Sequence, residues 1–129
     1  MALPAFNPEN SSSPQVRAMR PVDLVHLAKQ CLGDENLECE ILRMFDRSLT
    51  TYFERLKLAT SADDLHLNIH SIRGASAGVG AWTLSELAQA MENELRDGRP
   101  LTSERIDDLG IAIEEVRDFI AWMLTSRQD

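Results

Sequence analysis

The chain has 129 residues, of which 43% are hydrophobic and only 5% aromatic, and its formal net charge is −8. A domain of this length can bury a core without disulfides, and two cysteines are too few for a secreted disulfide framework. The acidic balance disfavours nucleic acid and anionic membranes, so the composition favours a protein partner. Because the sequence has neither an apolar run of roughly 20 residues nor a signal-peptide pattern, we expect a cytoplasmic protein.

The first 20 residues differ in composition from the rest of the chain. They contain three prolines, a run of three serines and no hydrophobic periodicity, and they hold one acid and two bases. We therefore predict a disordered tail over residues 1–20 and one folded domain over residues 21–129. Met1 and this tail favour a free-standing protein over a piece of a longer hybrid kinase.

Two helices are predicted directly after the tail. Pro21 suits the first position of a short helix, which Gly33 ends and which we expect to lie across one end of the other helices. Asp34 or Asn36 is placed to cap a longer second helix. The apolar residues of this second helix recur at helical spacing: Leu37, Ile41, Met44, Phe45, Leu49, Tyr52, Phe53 and Leu56.

The third and fourth helices follow with the same periodicity. The third begins near Ala62 or Asp63 and runs to about Gly78, and its inward residues are Leu65, Ile69, Ile72, Ser76 and Val79. Thr83 and Glu86 have the spacing of a capping box, which predicts the start of the fourth helix.

A fifth helix opens near Thr102 or Ser103, and Gly110 interrupts it where close packing against a neighbour would explain a glycine. Met44 and Met91 are predicted to fill the core. Because no strand-like alternation occurs and the long helices are joined by short loops, we predict an all-α fold. Its architecture is an antiparallel four-helix bundle with a short additional N-terminal helix.

The segment from His70 to Gly80, reading HSIRGASAGVG, carries the strongest functional signal. Three of the six glycines lie between positions 74 and 80, although a glycine in a helix interior costs about 1 kcal/mol relative to alanine. That cost is understandable if a partner must approach the histidine closely. If the apolar residues of the third helix face the core, its outward stripe consists of His66, His70, Arg73, Gly74 and Ala77.

The residue types on this stripe suit phosphoryl chemistry. Histidine is a nucleophile that forms covalent intermediates. The guanidinium of Arg73, one turn from His70, can bind phosphoryl oxygens and offset their charge. Because Gly74 and Ala77 have no bulky side chains, they leave space for a partner's carboxylate to reach the imidazole.

The sequence HSIRGASAGVGAWTL resembles the pattern of histidine-phosphotransfer (HPt) domains. In that pattern a histidine is followed by an aliphatic residue, a lysine or arginine, a glycine, small residues and a closing glycine before the next helix. The resemblance implies that His70 is the phosphoacceptor and that Arg73 stands where the family more often has lysine. It also implies that Glu92 faces the histidine from the fourth helix and accepts a hydrogen bond from the ring. Arg96, one turn later, is expected to steer the phosphate or the partner.

The resemblance also implies the partners. HPt domains relay phosphoryl groups between receiver-domain aspartates, from a hybrid sensor histidine kinase to a response regulator. No cofactor is expected on this chain, since the Mg²⁺ belongs to the receiver domain, and the lack of a nucleotide-binding glycine-rich loop excludes a complete kinase. We expect a monomer that docks its partners through His66, Gly74, Ala77 and Arg96.

Two other functions remain open. In one, the same face of the bundle docks a kinase or receiver domain and inhibits it without transferring phosphate. In the other, His66 and His70 bind a metal ion, since they are spaced four residues apart, but the helix offers no obvious third or fourth ligand.

Trp82 is predicted to be a packing anchor.

Overall fold

A computed structural model describes residues 20–127 of the chain. The predicted tail, apart from Arg20, and the last two residues lie outside the described part. Within residues 20–127 the structure has five helices and no strand: α1 (Leu24–Gln30), α2 (Glu35–Leu58), α3 (Ala62–Val79), α4 (Trp82–Arg96) and α5 (Ser103–Arg127).

The four long helices form a closed bundle. Helix α2 packs against α3, α3 against α4, α4 against α5, and α5 against α2, while the short α1 contacts α2. The predicted all-α antiparallel four-helix bundle with a short additional N-terminal helix is therefore confirmed. In this part of the chain, no helix combines the length and the apolarity that a bilayer crossing requires.

Side-chain caps set the start of the first three helices. Asp23 accepts the backbone N–H groups of Val25 and His26, so α1 starts after Asp23, and Pro21 lies outside the helix that it was predicted to open. Of the two predicted caps for α2, Asp34 is the one used, with its side chain accepting from the N–H of Leu37. Ser61 caps α3 in the same way.

The start of α4 differs from the prediction. The helix begins at Trp82, its N-cap residue Ala81 makes no side-chain cap, and Thr83 already lies inside the helix. The reason is tertiary, because Ala81 is fully buried and its N–H donates to the carbonyl of Ser76 at 2.8 Å. The packing of Ala81 therefore starts the helix at Trp82. Thr83 already lies inside it and cannot serve as the predicted N-cap.

The core is almost entirely aliphatic, and on α2 it contains Phe45, Leu49 and Leu56 of the predicted stripe together with Leu42, which the prediction left out. Met44 and Leu37 are 59% and 39% exposed, whereas Leu42, absent from the predicted stripe, is fully buried. Glu38 is buried on the same face of α2 as Leu42. Because glutamate is not apolar, the spacing of apolar residues does not identify this position as part of the inward face. Met91 is fully buried, as predicted for a core methionine.

The turn between α3 and α4 decides which residues of the two helices meet. Gly80 has a φ of +83° and ends α3, and its N–H donates to the carbonyl of Ala77 at 3.2 Å. This glycine therefore serves the turn and is not a helix-interior glycine. Since only residues 80–81 separate the helices, α4 runs back along α3. Residues at similar distances from the turn, such as His70 and Glu92, are brought side by side.

Helix α1 is attached to this same turn. The N–H of Asp23 donates to the carbonyl of Gly80 at 2.9 Å, and the indole Nε1 of Trp82 donates to Oδ2 of Asp23 at 3.0 Å. The ring of His26 packs edge-on against Trp82, with 4.8 Å between ring centroids. These contacts place α1 across the end of the bundle where α3 meets α4.

Gly110 of α5 contacts α2 closely. A Cβ atom at this position would lie 3.0 Å from Cζ of Phe53. Close packing against this ring accounts for the glycine in an otherwise regular helix.

Candidate functional site

His70 lies in the middle of α3, and its side chain is 53% exposed. Its neighbours Ile69 and Ile72 are fully buried, so the helix turns the imidazole away from the core. The ring nitrogen Nδ1 lies 2.7 Å from Oε2 of Glu92 on α4. Among residues 20–127, none hydrogen-bonds to Nε2 of His70, so on this half-exposed ring Nε2 has no described partner.

Glu92 is the buried centre of the site, with a side chain only 2% exposed. Its carboxylate contacts three side chains of α3: Nε2 of His66 at 3.1 Å, Nδ1 of His70 at 2.7 Å and Nε of Arg73 at 2.6 Å. Burial alone would raise the pKa of Glu92, but the hydrogen bonds from His70 and Arg73, with the charge of Arg73, outweigh it and lower that pKa. Glu92 is therefore an anion at neutral pH.

The ionised carboxylate determines which tautomer of His70 fits the site. A carboxylate only accepts hydrogen bonds, so the 2.7 Å contact requires a proton on Nδ1 and leaves the lone pair on Nε2. Nη2 of Arg73 also lies 3.0 Å from Nδ1, but it can donate only to an unprotonated nitrogen, so the two hydrogen bonds exclude each other. The shorter, charge-assisted contact with Glu92 favours the Nδ1–H tautomer.

Arg73 does not extend into water as its place on the outward stripe predicts. Its side chain is 31% exposed and folds onto Glu92, to which Nε donates. Ser85 of α4 donates its hydroxyl to the backbone carbonyl of Arg73 at 3.2 Å, which adds a second contact between the helices. Arg73 therefore neutralises a buried anion while it remains beside the imidazole.

Three other predicted site residues lie outside the cluster of side chains around Glu92. Gly74 is exposed and a Cβ atom there would meet nothing within 4 Å, while Ala77 is partly buried one turn further on. Arg96 is exposed, and its described hydrogen bond is to Oδ1 of Asn93, at 3.4 Å, so the structure does not bring it into the cluster.

His66, predicted as a docking residue, lies beside the cluster of His70, Arg73 and Glu92. Its ring stacks beside that of His70, with 6.0 Å between centroids and 27° between planes, and its Nε2 contacts Glu92. The spacing of four residues between the histidines was the available signal, but the shared carboxylate lies on another helix. In the described part of the chain, no group of three or more His, Cys, Asp and Glu side chains is arranged to hold a metal ion.

Fold and site together define a four-helix bundle with an accessible imidazole beside a buried carboxylate and an arginine. Residues 40–119 match the Hpt domain family, and this range includes His70, Arg73 and Glu92. Because the match covers more than half of the chain, the chain belongs to this family, whose members act in phosphotransfer in two-component systems. Hpt domains generally interact with receiver domains and histidine kinases. No match to a curated protein or to a solved structure was found.

Proposed function

We propose that this protein relays a phosphoryl group through His70 between receiver-domain aspartates, from a hybrid sensor histidine kinase to a response regulator. One observation carries the proposal. The imidazole of His70 is 53% exposed and its Nε2 has no described hydrogen-bond partner, while its Nδ1 contacts the buried carboxylate of Glu92 at 2.7 Å.

In the transfer step, the lone pair on Nε2 of His70 attacks the phosphorus of an aspartyl phosphate in line with its bond to the aspartate oxygen. The P–N bond forms, the P–O bond breaks, and the aspartate leaves as a carboxylate. Nδ1 keeps its proton, so the positive charge that develops on the ring faces the Glu92 carboxylate. Attack by the aspartate of a second receiver on the same phosphorus regenerates the neutral imidazole.

The neighbours of His70 have supporting roles in this proposal. The guanidinium of Arg73 binds phosphoryl oxygens through N–H groups that Glu92 does not use. Gly74 and Ala77 form the open surface on which a receiver docks, and Arg96 steers the phosphate from the exposed side of α4. The Mg²⁺ required for the receiver's chemistry binds to the receiver. With cytoplasmic receivers as partners, the protein acts in the cytoplasm.

The test is phosphotransfer from a radiolabelled, phosphorylated receiver domain to the full chain. We expect a label on the chain that is labile in acid and stable in alkali, as a phosphoramidate is. His70→Gln should abolish the label, whereas the matched control His26→Gln should retain it, because His26 lies on α1 against Trp82.

Two outcomes would count against the proposal. Labelling of His70→Gln at the wild-type level would overturn the assignment of the phosphoacceptor. A complex of the wild-type chain with the receiver that forms without any transfer of label would favour the docking module that inhibits its partner.

A further inference from the structure

We propose that residues 15–19, the part of the tail next to the described domain, bind in a groove between α2 and α5. The inference goes beyond the proposed function and does not depend on it. It extends the folded domain past the boundary predicted at residue 21.

The α2–α5 groove lies on the side of the bundle opposite the histidine. Helices α2 and α5 pack against each other, as α3 and α4 do, so the α2–α5 face is remote from His70. The groove has a volume of about 760 Å³, and its apolar lining includes Phe53 of α2 with Ile106 and Ile111 of α5. Because Ile111 is 62% exposed, a segment that covers it would remove apolar surface from water.

The rim of the α2–α5 groove is acidic. Asp107, Glu115 and Asp118 of α5 are all exposed there, and in the described part of the chain none of the three forms an ion pair. Lys57, on the α2 side, already pairs with Glu54 at 2.8 Å. The groove therefore fits a segment that combines apolar side chains with positive charge.

The end of the tail has this composition. Val16 and Met19 are apolar, Arg17 and Arg20 are basic, and residues 15–20 contain no acid. A second copy of the chain fits the groove less well, because the net charge of each copy is −8. The tail is also attached to the domain, which raises its effective concentration at the groove into the millimolar range.

The place where the described chain begins also points to this groove. Arg20 and Pro21 line a small cavity between α4 and α5, and Glu115 lines both this cavity and the α2–α5 groove. From Glu115 to Asp107, α5 advances roughly 12 Å at about 1.5 Å per residue, a distance that about four extended residues cover. Residues 16–19 are therefore long enough to reach along the groove.

A second apolar groove near Arg20 fits this segment less well. It lies beside α1, and its lining includes Leu24, Leu32 and Lys29. Its charged lining residues, Arg20 and Lys29, are both basic and repel Arg17. The charge of the segment thus favours the α2–α5 groove.

The test is NMR spectroscopy of the full chain. Nuclear Overhauser effects (NOEs) are recorded from the methyl groups of Val16 and Met19 to the ring of Phe53 and the methyl groups of Ile111. In a mixture of ¹³C-labelled and unlabelled chains, isotope-filtered spectra distinguish contacts within one chain from contacts between two. We expect NOEs from the tail to the groove within one chain.

A charge-reversal variant tests the electrostatic part of the inference. Arg17→Glu should weaken these NOEs and move the methyl shifts of Ile111, because the segment then meets an acidic rim with a negative charge. The matched control Arg99→Glu reverses the charge of an exposed arginine that pairs with Asp97, and it should leave the NOEs and shifts unchanged. Circular dichroism checks that both variants keep their helices.

The absence of NOEs between the tail and the groove in the wild type would overturn the inference. NOEs from the tail to Leu32 instead, or NOEs only between chains, would also overturn it, since they assign a different groove or a second copy. So would an Arg17→Glu variant with wild-type NOEs and shifts. Labelling of His70 is measured separately, so failure of the proposed function leaves this result unaffected.

Discussion

Nε of Arg73 and Oε1 of Glu92 lie 2.6 Å apart and form an ion pair between α3 and α4, beside the imidazole of His70. The HPt pattern that the sequence resembles more often has lysine at the position of this arginine. A guanidinium can contact the carboxylate through Nε and place Nη2 near the ring, whereas an ammonium group has a single nitrogen. The pair therefore couples the stability of the helix interface to the environment of the histidine.

The first prediction concerns this ion pair. Arg73→Ala should lower the free energy of unfolding by about 1–2 kcal/mol, because Glu92 stays buried with the hydrogen bond from His70 but without its arginine partner. It should also slow labelling of the chain by a phosphorylated receiver. Arg73→Lys, which keeps the charge, should lose less of both. Urea unfolding and transfer assays measure the two effects, and an Arg73→Ala variant as stable as the wild type would contradict the buried pairing.

The second prediction follows from the lowered pKa of Glu92. Its pKa in the folded protein lies below its ordinary value of 4.5, so the unfolded chain binds this proton more tightly. The carboxylate therefore stabilises the fold above pH 4.5, and this contribution is lost as the pH falls through the folded-state pKa. We expect Glu92→Gln to be less stable than the wild type at neutral pH by about 1–2 kcal/mol.

This difference in unfolding free energy should shrink as the pH is lowered below 4.5, where the wild type also becomes protonated at Glu92. Urea unfolding of both proteins over a pH series measures it. Because the other carboxyl groups are common to both proteins, the comparison isolates Glu92. A difference that grows in acid would show that the pKa is shifted in the other direction.

The third prediction is that alanine has opposite effects on stability at two glycines of one motif. Gly74 lies inside α3 with open space around its missing side chain, so Gly74→Ala should stabilise the fold by up to about 1 kcal/mol. Gly80→Ala should destabilise it by about 1–2 kcal/mol, because φ is +83° and the added Cβ would lie 3.0 Å from Cβ of Asp23. Thermal unfolding measures both changes.

Despite its higher stability, Gly74→Ala should transfer phosphate more slowly, since the new methyl group stands one turn from His70 on the proposed docking surface. Gly78→Ala is the matched control. It is equally open in the structure but two turns from the histidine, so it should gain stability and keep its transfer rate. Equal rates for the Gly74 and Gly78 variants would argue against close approach at Gly74.

The fourth prediction separates stability from transfer. Nη1 of Arg127 donates to Oε1 of the buried Glu38 at 2.9 Å, which joins the end of α5 to the start of α2. Arg127→Ala should cost about 2 kcal/mol because it removes a partner from a buried charge. The matched control Arg99→Ala removes an exposed pair with Asp97 and should cost under about 0.5 kcal/mol. Neither should slow transfer below the melting temperature.

The sequence was sufficient to predict the architecture, because apolar residues at spacings of three and four define amphipathic helices without knowledge of their neighbours. The predicted bounds of α3, near Ala62 or Asp63 and about Gly78, lie within one residue of the observed ones, and short connections required antiparallel neighbours. The same periodicity placed His70 on the helix face opposite Ile69 and Ile72.

Contacts between helices were decided only by the tertiary structure. The inward face of α2 includes Leu42 and the buried Glu38, whose carboxylate is paired with Arg127 of another helix. Glu92 contacts His66, His70 and Arg73 because the turn at Gly80 sets the register of α4 against α3. The spacing of apolar residues indicates which way each side chain points around its own helix axis. The relative translation of two packed helices depends on how their surfaces and connecting turn fit, and this relation is absent from either helix alone.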